Sequence, residues 1–262
     1  MLIILNSRGQ GLNGVVINEC IGKQLSENDD IEVSSENFIN LREGLVHVAE
    51  EAYKHSIVRD HTIFMGGDHL TSFATVLSSL KRFGNNFRLI WIDAHTDIHS
   101  FNSSPSWNMH GMVLRMLLEH NVPRIPQLKP NQILYLGIRS YERQEMDYII
   151  DNKIMCITMN DWKRNRDEAL IKLAGFVVGN MVHISLDVDS MDPSIMSSTG
   201  TPVENGLMLN DILDIIGIVR EYSKHVATDI MEFNPQLGDY DVSFKTLKSI
   251  VQFLEDKRDN TI

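Results

Sequence analysis

The chain has 262 residues, of which 43% are hydrophobic, so it can bury a large core without support from disulfides or structural metals. Acidic residues outnumber basic ones by 35 to 24 and no basic run could follow a phosphate backbone, so we expect no nucleic-acid partner. Two cysteines, Cys20 and Cys156, do not make a disulfide framework, and neither a secretory signal nor a membrane-spanning apolar run is present, so we expect a cytoplasmic protein without membrane contact.

Short apolar runs alternate with stretches of helical spacing along the chain. Runs typical of buried strands lie at 2–5, 62–65, 89–92, 133–136, 154–157, 182–186 and 226–230. Helical spacing is found at 38–53, 70–81, 112–120, 167–178, 209–222 and 244–254. This alternation predicts an α/β fold with a parallel β-sheet flanked by helices on both faces. No linker or repeat divides the sequence, so we expect residues 1–262 to form a single domain.

Ligands of such sheets bind beyond the carboxyl ends of the strands, so polar residues that follow apolar runs are candidate site residues. The run at 62–65 leads into GGDH, where two glycines permit a tight turn that presents His69 at the edge of the sheet. Taken alone, this string is more typical of an ordinary strand-to-helix turn. His69 is therefore a candidate only in combination with other residues.

The run at 89–92 continues into DAHTD, in which three potential metal ligands alternate with small residues. Strand periodicity places Asp93, His95 and Asp97 on one side. The run at 182–186 likewise continues into Asp187 and Asp189, two residues apart. Acids on one face repel each other, and a bound cation would offset that cost. For each motif alone, helix-capping acids or surface charges are an equally good interpretation.

The run at 226–230 leads to Glu232, which precedes an Asn-Pro turn and is unremarkable by itself. Together, however, GGDH, DAHTD, SLDVDSMDP and DIMEFNP follow one another at strand ends of a single chain. This combination resembles the ureohydrolase family, which includes arginase and agmatinase. The segments SRGQ, DAHTDI, SWNMHG, TGTPV and DIMEFNP make it most similar to the arginases, and the resemblance covers nearly the whole chain.

The resemblance implies the three-layer arginase/deacetylase-like sandwich and a binuclear-metal hydrolase that converts L-arginine to L-ornithine and urea. It assigns His69, Asp93, Asp97 and Asp187 to one ion, and Asp93, His95, Asp187 and Asp189 to the other. Imidazole and carboxylate ligands without thiolate suit Mn²⁺ better than Ca²⁺ or structural zinc. The family implies two Mn²⁺ per chain, which would lower the pKa of water for attack on the guanidinium carbon.

The same resemblance assigns catalytic roles to three residues. Glu232 would hold the planar guanidinium through charge-assisted hydrogen bonds, and Asp97 would act in catalysis as well as in metal binding. His110, in SWNMHG, would deliver a proton to the leaving amine. A histidine at the start of a helix can also be a cap, but the spacing of His110 from DAHTD favours the proton shuttle.

Arginases read the amino-acid end of their substrate through a set of polar residues, and this chain keeps most of that set. The matching residues are Ser106, Asn108, Glu145 and Thr201. His99 and Glu142 depart from it, because arginases usually carry Asn and Asp at these positions. Each change alters the reach of a side chain by about an ångström, which is enough to change substrate positioning. The reaction type is therefore better determined than the substrate.

Two alternatives to arginine hydrolysis remain at this point. The first keeps the chemistry and a small cationic guanidino substrate or a related compound, as in an agmatinase, a guanidino-acid hydrolase or a formimidoylglutamate hydrolase. The second is a non-catalytic, metal-binding regulatory relative, against which the intact ligand set argues, since unpaired buried carboxylates are costly. Family members are commonly trimers or hexamers, so we expect a homo-oligomer.

Overall fold

A computed structural model describes residues 2–6, 31–34 and 41–256, with side chains from residue 42 onward. The segment SRGQGLNGV, Cys20 and the start of the predicted helix 38–53 lie outside the described residues. The strands are β1 (Leu2–Asn6), β2 (Ile31–Ser34), β3 (Thr62–Met65), β4 (Phe87–Ile92), β5 (Ile133–Ile138), β6 (Met155–Thr158), β7 (Met181–Asp187) and β8 (Lys224–Met231). They form one parallel sheet in the order β2-β1-β3-β8-β7-β4-β5-β6.

Helices follow most of the strands. They are α1 (Leu41–Ser56), α2 (Ser72–Phe83), α3 (Val113–Glu119), α4 (Arg143–Asp151), α5 (Met159–Arg164), α6 (Arg166–Val177), α7 (Leu209–Tyr222) and α8 (Tyr240–Glu255). Side chains determine several of the helix starts: Asp239 accepts a hydrogen bond from the Val242 amide at the start of α8, and Asn165 caps α6 in the same way. None of the helices in the described ranges could span a lipid bilayer.

Both faces of the sheet are buried, which confirms the predicted three-layer α/β fold. Along β4, Phe87, Leu89 and Trp91 pack with α1 to α4 on one face. Ile90 and Ile92, which alternate with them, pack with α5 to α8 on the other face. A strand that is apolar on both sides has to be covered on both sides, as its continuous apolar run predicts.

Three elements were not predicted from the sequence: β2, α4 and α5. β2 is a four-residue strand at the edge of the sheet. α4 has nine residues, and one of its two buried side chains, Glu145, is polar, so its apolar pattern is short. α5 has six residues and is capped by Thr158, whose hydroxyl accepts a hydrogen bond of 3.1 Å from the Asp161 amide. Short elements with so few buried positions give too weak a pattern to predict.

A polar network lies buried between α2 and the centre of the sheet. His183 on β7 and Asp229 on β8 are 0% exposed, and Nε2 of the histidine is 2.8 Å from Oδ1 of the aspartate. Ser79 contacts Nδ1 of His183 at 2.9 Å, and Thr75 donates to Asp229 at 2.7 Å. Buried charges are tolerated when they are paired and hydrogen-bonded in this way. The network therefore joins α2 to the two central strands.

The register of the sheet places four neighbouring strand ends at one level. Met65 of β3 pairs with Ile230 of β8, Ile230 pairs with Leu186 of β7, and Leu186 pairs with Ile92 of β4. The residues that follow these four strands consequently meet at the carboxyl edge of the sheet. GGDH, DAHTD, SLDVDSMDP and DIMEFNP each lie at the end of one of these strands, so the fold brings these four motifs into one place.

Candidate metal centre

The His69 imidazole lies at the middle of a group of acids. Its Nδ1 is 3.1 Å from Oδ2 of Asp93, 3.2 Å from Oδ2 of Asp97 and 3.1 Å from Oδ2 of Asp187. His69 is 1% exposed, and within the described part of the chain its Nδ1 has no hydrogen-bond partner of acceptable geometry. A buried nitrogen that faces three carboxylates without a hydrogen bond fits a cation ligand.

A second group of ligand atoms lies beside the first. Nδ1 of His95 is 3.1 Å from Oδ2 of Asp189 and 3.5 Å from Oδ1 of Asp93. Asp93 thus faces His69 with one oxygen and His95 with the other, so its carboxylate lies between the two groups. The potential ligand atoms of His69, Asp93 and Asp97 lie within 4.8 Å of one another, as do those of Asp93, His95 and Asp189. The fold brings all six predicted ligands together.

The site concentrates negative charge away from water. Burial raises the pKa of Asp97 to about 7, and the charge of Asp93 adds to this shift. Burial, with the charges of Asp189 and Asp93, also raises the pKa of Asp187 well above its ordinary value. Burial alone would lower the pKa of His95, but hydrogen bonds to Asp189 and Asp93 raise it to about 11. Cations bound at these side chains would compete with protons for the same oxygen and nitrogen atoms.

Residues behind the ligands fix the orientation of His69, and sequence reasoning did not identify them. Trp91 stacks on the imidazole with ring centroids 3.9 Å apart, and it donates a hydrogen bond of 3.0 Å to Asp93. Nε2 of His69 contacts the Ser185 hydroxyl at 3.0 Å, which contacts Ser72 at 2.9 Å. Because Nε2 is engaged there, Nδ1 is the nitrogen turned towards the acids.

Backbone amides hold the acidic side chains in place. Oδ1 of Asp187 accepts from the Asp189 amide at 2.8 Å, and Oδ1 of Asp189 accepts from the Ala94 amide at 3.3 Å. The Thr201 hydroxyl donates to Oδ2 of Asp189 at 3.0 Å. Thr201 was predicted to bind substrate, and its hydroxyl is hydrogen-bonded to Asp189, a candidate metal ligand. Its position is therefore next to the metal centre.

Glu232 follows β8 and lies beside His69. Its Oε1 accepts a hydrogen bond of 2.7 Å from the His69 amide, and its backbone has a positive φ of 65°. A glutamate at positive φ is uncommon and costs conformational energy, which is a feature found at functional sites. Burial raises the pKa of Glu232 to about 8, and the charge of Asp68 contributes. A bound cation would favour the charged form of Glu232.

His110 lies in the 3₁₀ turn Met109–Met112 that precedes α3, and it is half-buried. The N-cap position of this turn is occupied by Asn108, so His110 is not the cap. Burial raises the pKa of Asp68, and the charge of His110 opposes that shift. The turn that holds His110 packs against the 3₁₀ turn His69–Thr71, whose first amide binds Glu232.

Apart from Thr201, the residues predicted to bind the substrate head group lie on the segment 99–108 and at the start of α4. Nε2 of His99 is 3.6 Å from a carboxylate oxygen of Glu142 and 3.6 Å from one of Glu145. Glu145 is buried and accepts a hydrogen bond of 2.9 Å from the Glu142 amide. Ser106 and Asn108 are exposed, and the Ser106 hydroxyl accepts from the Asn108 amide at 3.3 Å. The two residues that depart from the arginase pattern thus lie close together.

Comparison with known proteins gives the family. The model of the arginase family matches residues 16–254. The chain belongs to the arginase family. An arginase from Glaciozyma antarctica is 33% identical over 205 residues, which make up 73% of this chain and 59% of that protein. An arginase from Neurospora crassa is 33% identical over 207 residues, or 73% of this chain and 58% of that protein. The matching part of this chain thus spans less than two thirds of the length of these two relatives.

Solved arginase structures share the fold of this arginase-family chain. The structure of Entamoeba histolytica arginase in complex with L-ornithine superposes with a TM-score of 0.80 at 24% identity, covering 97% of this chain and 98% of that one. An arginase from Bacillus cereus superposes with a TM-score of 0.83 at 24% identity, covering 97% and 96%. These superpositions confirm the predicted arginase-like sandwich.

Proposed function

We propose that this arginase-family chain hydrolyses L-arginine to L-ornithine and urea. The observation that carries the proposal is the position of Glu232, a buried acid bonded to the His69 amide at the edge of two groups of metal ligands. A guanidinium is planar and offers paired N–H donors, which a carboxylate binds in a matched geometry. Two curated relatives at 33% identity are arginases, and one solved arginase structure is a complex with L-ornithine.

We infer that the two ligand groups hold two Mn²⁺ ions, with Asp93 and Asp187 shared between them. The unpaired Nδ1 of His69 and the mixture of imidazole with carboxylate support this assignment. When bound, two such ions supply an activated water and stabilise negative charge that develops in the reaction. The contacts from Trp91 and Ser185 keep Asp93 and His69 in the orientation that binding requires.

The other residues have separate tasks in the proposed reaction. Glu232 orients the guanidinium, because its hydrogen bond from the His69 amide fixes one carboxylate oxygen and thereby directs the other. His110 delivers a proton to the departing amine, since amine expulsion from the tetrahedral intermediate requires one. Asp97 lies 3.2 Å from Nδ1 of His69 and contributes to catalysis by helping to hold the ion in that ligand group.

The amino and carboxylate groups of arginine would bind to polar residues at the edge of the site, which we call the rim. Ser106, Asn108 and Glu145 provide hydroxyl, amide and carboxylate groups for it, with His99 and Glu142 beside them. Thr201 contributes from the neighbouring loop, next to Asp189. We further propose that the chain forms a single domain and is cytoplasmic, as its low cysteine content suggests. Because arginase-family proteins are commonly trimers or hexamers, we expect a homo-oligomer of one of these sizes.

Urea release from a panel of guanidino compounds tests the proposal. We expect the Mn²⁺-loaded protein to show a higher kcat/KM for L-arginine than for agmatine, which lacks the carboxylate and leaves rim groups unpaired. The panel also contains guanidino acids and formimidoylglutamate. Hydrolysis of formimidoylglutamate does not release urea, so it is measured through its own products. A preference for agmatine, or for either of the others, would reject arginine as the substrate. Turnover of none of them would favour the regulatory relative.

His99 and Glu142, the two rim residues that differ from the arginase pattern, should reduce the preference for arginine over agmatine. In the structure the His99 imidazole lies between two glutamates, so part of its hydrogen-bonding capacity is directed at acids and not at a ligand. We expect the double variant His99→Asn/Glu142→Asp to increase the ratio of kcat/KM for arginine over agmatine. Glu168→Asp, a change at an exposed helix position, is the control. An unchanged ratio in the double variant would mean that these two residues do not read the head group.

A further inference from the structure

Arg139 follows β5 and has no role in the site described so far. Its guanidinium donates six hydrogen bonds to the described residues, and all of them go to backbone carbonyl oxygens. The acceptors are Asp189 at 2.8 Å, Val203 at 2.6 Å and Met191 at 3.3 Å from Nη2, Ser190 at 3.1 Å and Gly137 at 3.2 Å from Nη1, and Glu204 at 3.1 Å from Nε. One side chain therefore joins the end of β5 to the segments 189–191 and 203–204.

The backbone of Arg139 ties in a third segment. The amides of Arg139 and Ser140 both donate to the Ala94 carbonyl at 2.9 Å. Ala94 lies between the ligands Asp93 and His95, and its own amide donates to Asp189 at 3.3 Å. Every segment that contributes to the second ligand group thus contacts Arg139 directly or through one hydrogen bond.

The first ligand group does not have this connection. His69 is oriented by Ser185 and Trp91 from within the sheet, and no hydrogen bond among the described residues joins Arg139 to His69 or Asp97. Apart from Asp93, which Trp91 also contacts, the two halves of the centre are therefore supported by different parts of the fold. Arg139 supports the half formed by Asp93, His95 and Asp189.

Only an arginine can make this set of contacts. Its guanidinium presents five N–H donors in one rigid plane, whereas a lysine has three donors on a single nitrogen. The positive charge also lies near the acidic cluster without forming an ion pair with it, since the charges of Asp189 and Asp93 act on Arg139 from beyond contact distance. A cation placed in this way lessens the repulsion among the acids while leaving their oxygens available to ligate.

We propose that Arg139 is a positioning residue for one half of the metal centre, holding Asp189 and the Asp93–His95 segment in place for the ion that they bind. This inference rests on the proposed binuclear metal site. It predicts that the two ions respond differently to a change at Arg139, which a general loss of stability would not produce. Loss of such outer contacts commonly lowers metal affinity by about 10- to 100-fold.

Isothermal titration calorimetry of the metal-stripped, full-length Arg139→Lys variant with Mn²⁺ tests the proposal. We expect two binding steps for the unmodified protein, and for the variant one step weakened about tenfold or more and the other weakened distinctly less, because Asp93 contributes to both. Unchanged affinity for both ions, or equal weakening of both, would overturn the proposal. Failure of the unmodified protein to bind Mn²⁺ would instead reject the proposed metal site itself.

Arg220→Lys is the matched control. Arg220 on α7 is also half-buried and donates to backbone carbonyls, those of Phe253 at 2.6 Å and Leu254, far along the chain from the ligands. Its replacement should lower the melting temperature without changing either Mn²⁺ step. Thr201→Val provides a second measurement if Arg139→Lys does not fold, because it removes an exposed hydroxyl from the same Asp189 carboxylate. It should weaken one step, and weakening of both would also contradict the division into halves.

Discussion

Replacement of Asp187 by alanine is expected to abolish urea release and to lower the metal content of the protein. Oδ2 of Asp187 lies 3.1 Å from Nδ1 of His69, and its Oδ1 accepts from the Asp189 amide at 2.8 Å. The side chain therefore contacts the first ligand group directly and the second through the Asp189 amide. Its removal should weaken both Mn²⁺ sites, and without the ions no activated water forms. Metal analysis and a urea assay on the same preparation measure both effects.

Asp192→Asn is the control for Asp187→Ala, because Asp192 lies in the same acidic segment but accepts hydrogen bonds from Ser194 and from the Gly206 amide. This variant should keep both ions and most of the activity. Full activity in metal-stripped Asp187→Ala protein would show that the metal centre is not where the reaction occurs. A loss of activity with normal metal content would remove Asp187 from the ligand set.

The gathering of the candidate ligands could be predicted from the sequence because each of their motifs follows an apolar run. Alternation along a strand places Asp93 and His95 on the same side, and the register then brings this strand end level with that of Asp187. The same alternation offered a signal that was missed for Trp91 and Ser185. Each lies two residues before a ligand on its own strand, and therefore on the same face.

Other parts of the site depend on contacts that no local pattern records. The role of Arg139 arises from three segments that are distant in sequence and meet only when β5 lies beside β4. The pairing of His99 with Glu142 and Glu145 likewise requires the loop of His99 to face the start of α4, a short helix that was not predicted. Sequence patterns therefore indicate which residues gather at the strand ends, but they do not indicate which loops contact each other.

The cap interpretation of His110 was settled by the fold, since Asn108 occupies the cap position of that turn. What distinguishes a proton shuttle from a ligand is that its loss should leave the metal centre intact. No ion pair or hydrogen bond of the described residues joins His110 to His69 or to the five other candidate ligands. The turn Met109–Met112 nevertheless packs against the turn His69–Thr71, whose first amide binds Glu232.

We therefore expect His110→Asn to lower kcat for arginine by about 10²-fold while two Mn²⁺ ions remain bound, because proton delivery to the leaving amine is lost and water activation is not. KM should change little, since Glu232 still holds the guanidinium. Steady-state kinetics and metal analysis measure these quantities, and His47→Asn on α1 is the matched control for loss of an imidazole. If kcat of His110→Asn equalled that of the unmodified protein, the proton would have to come from another group, and the half-buried position of His110 beside Asp68 would have only a structural role.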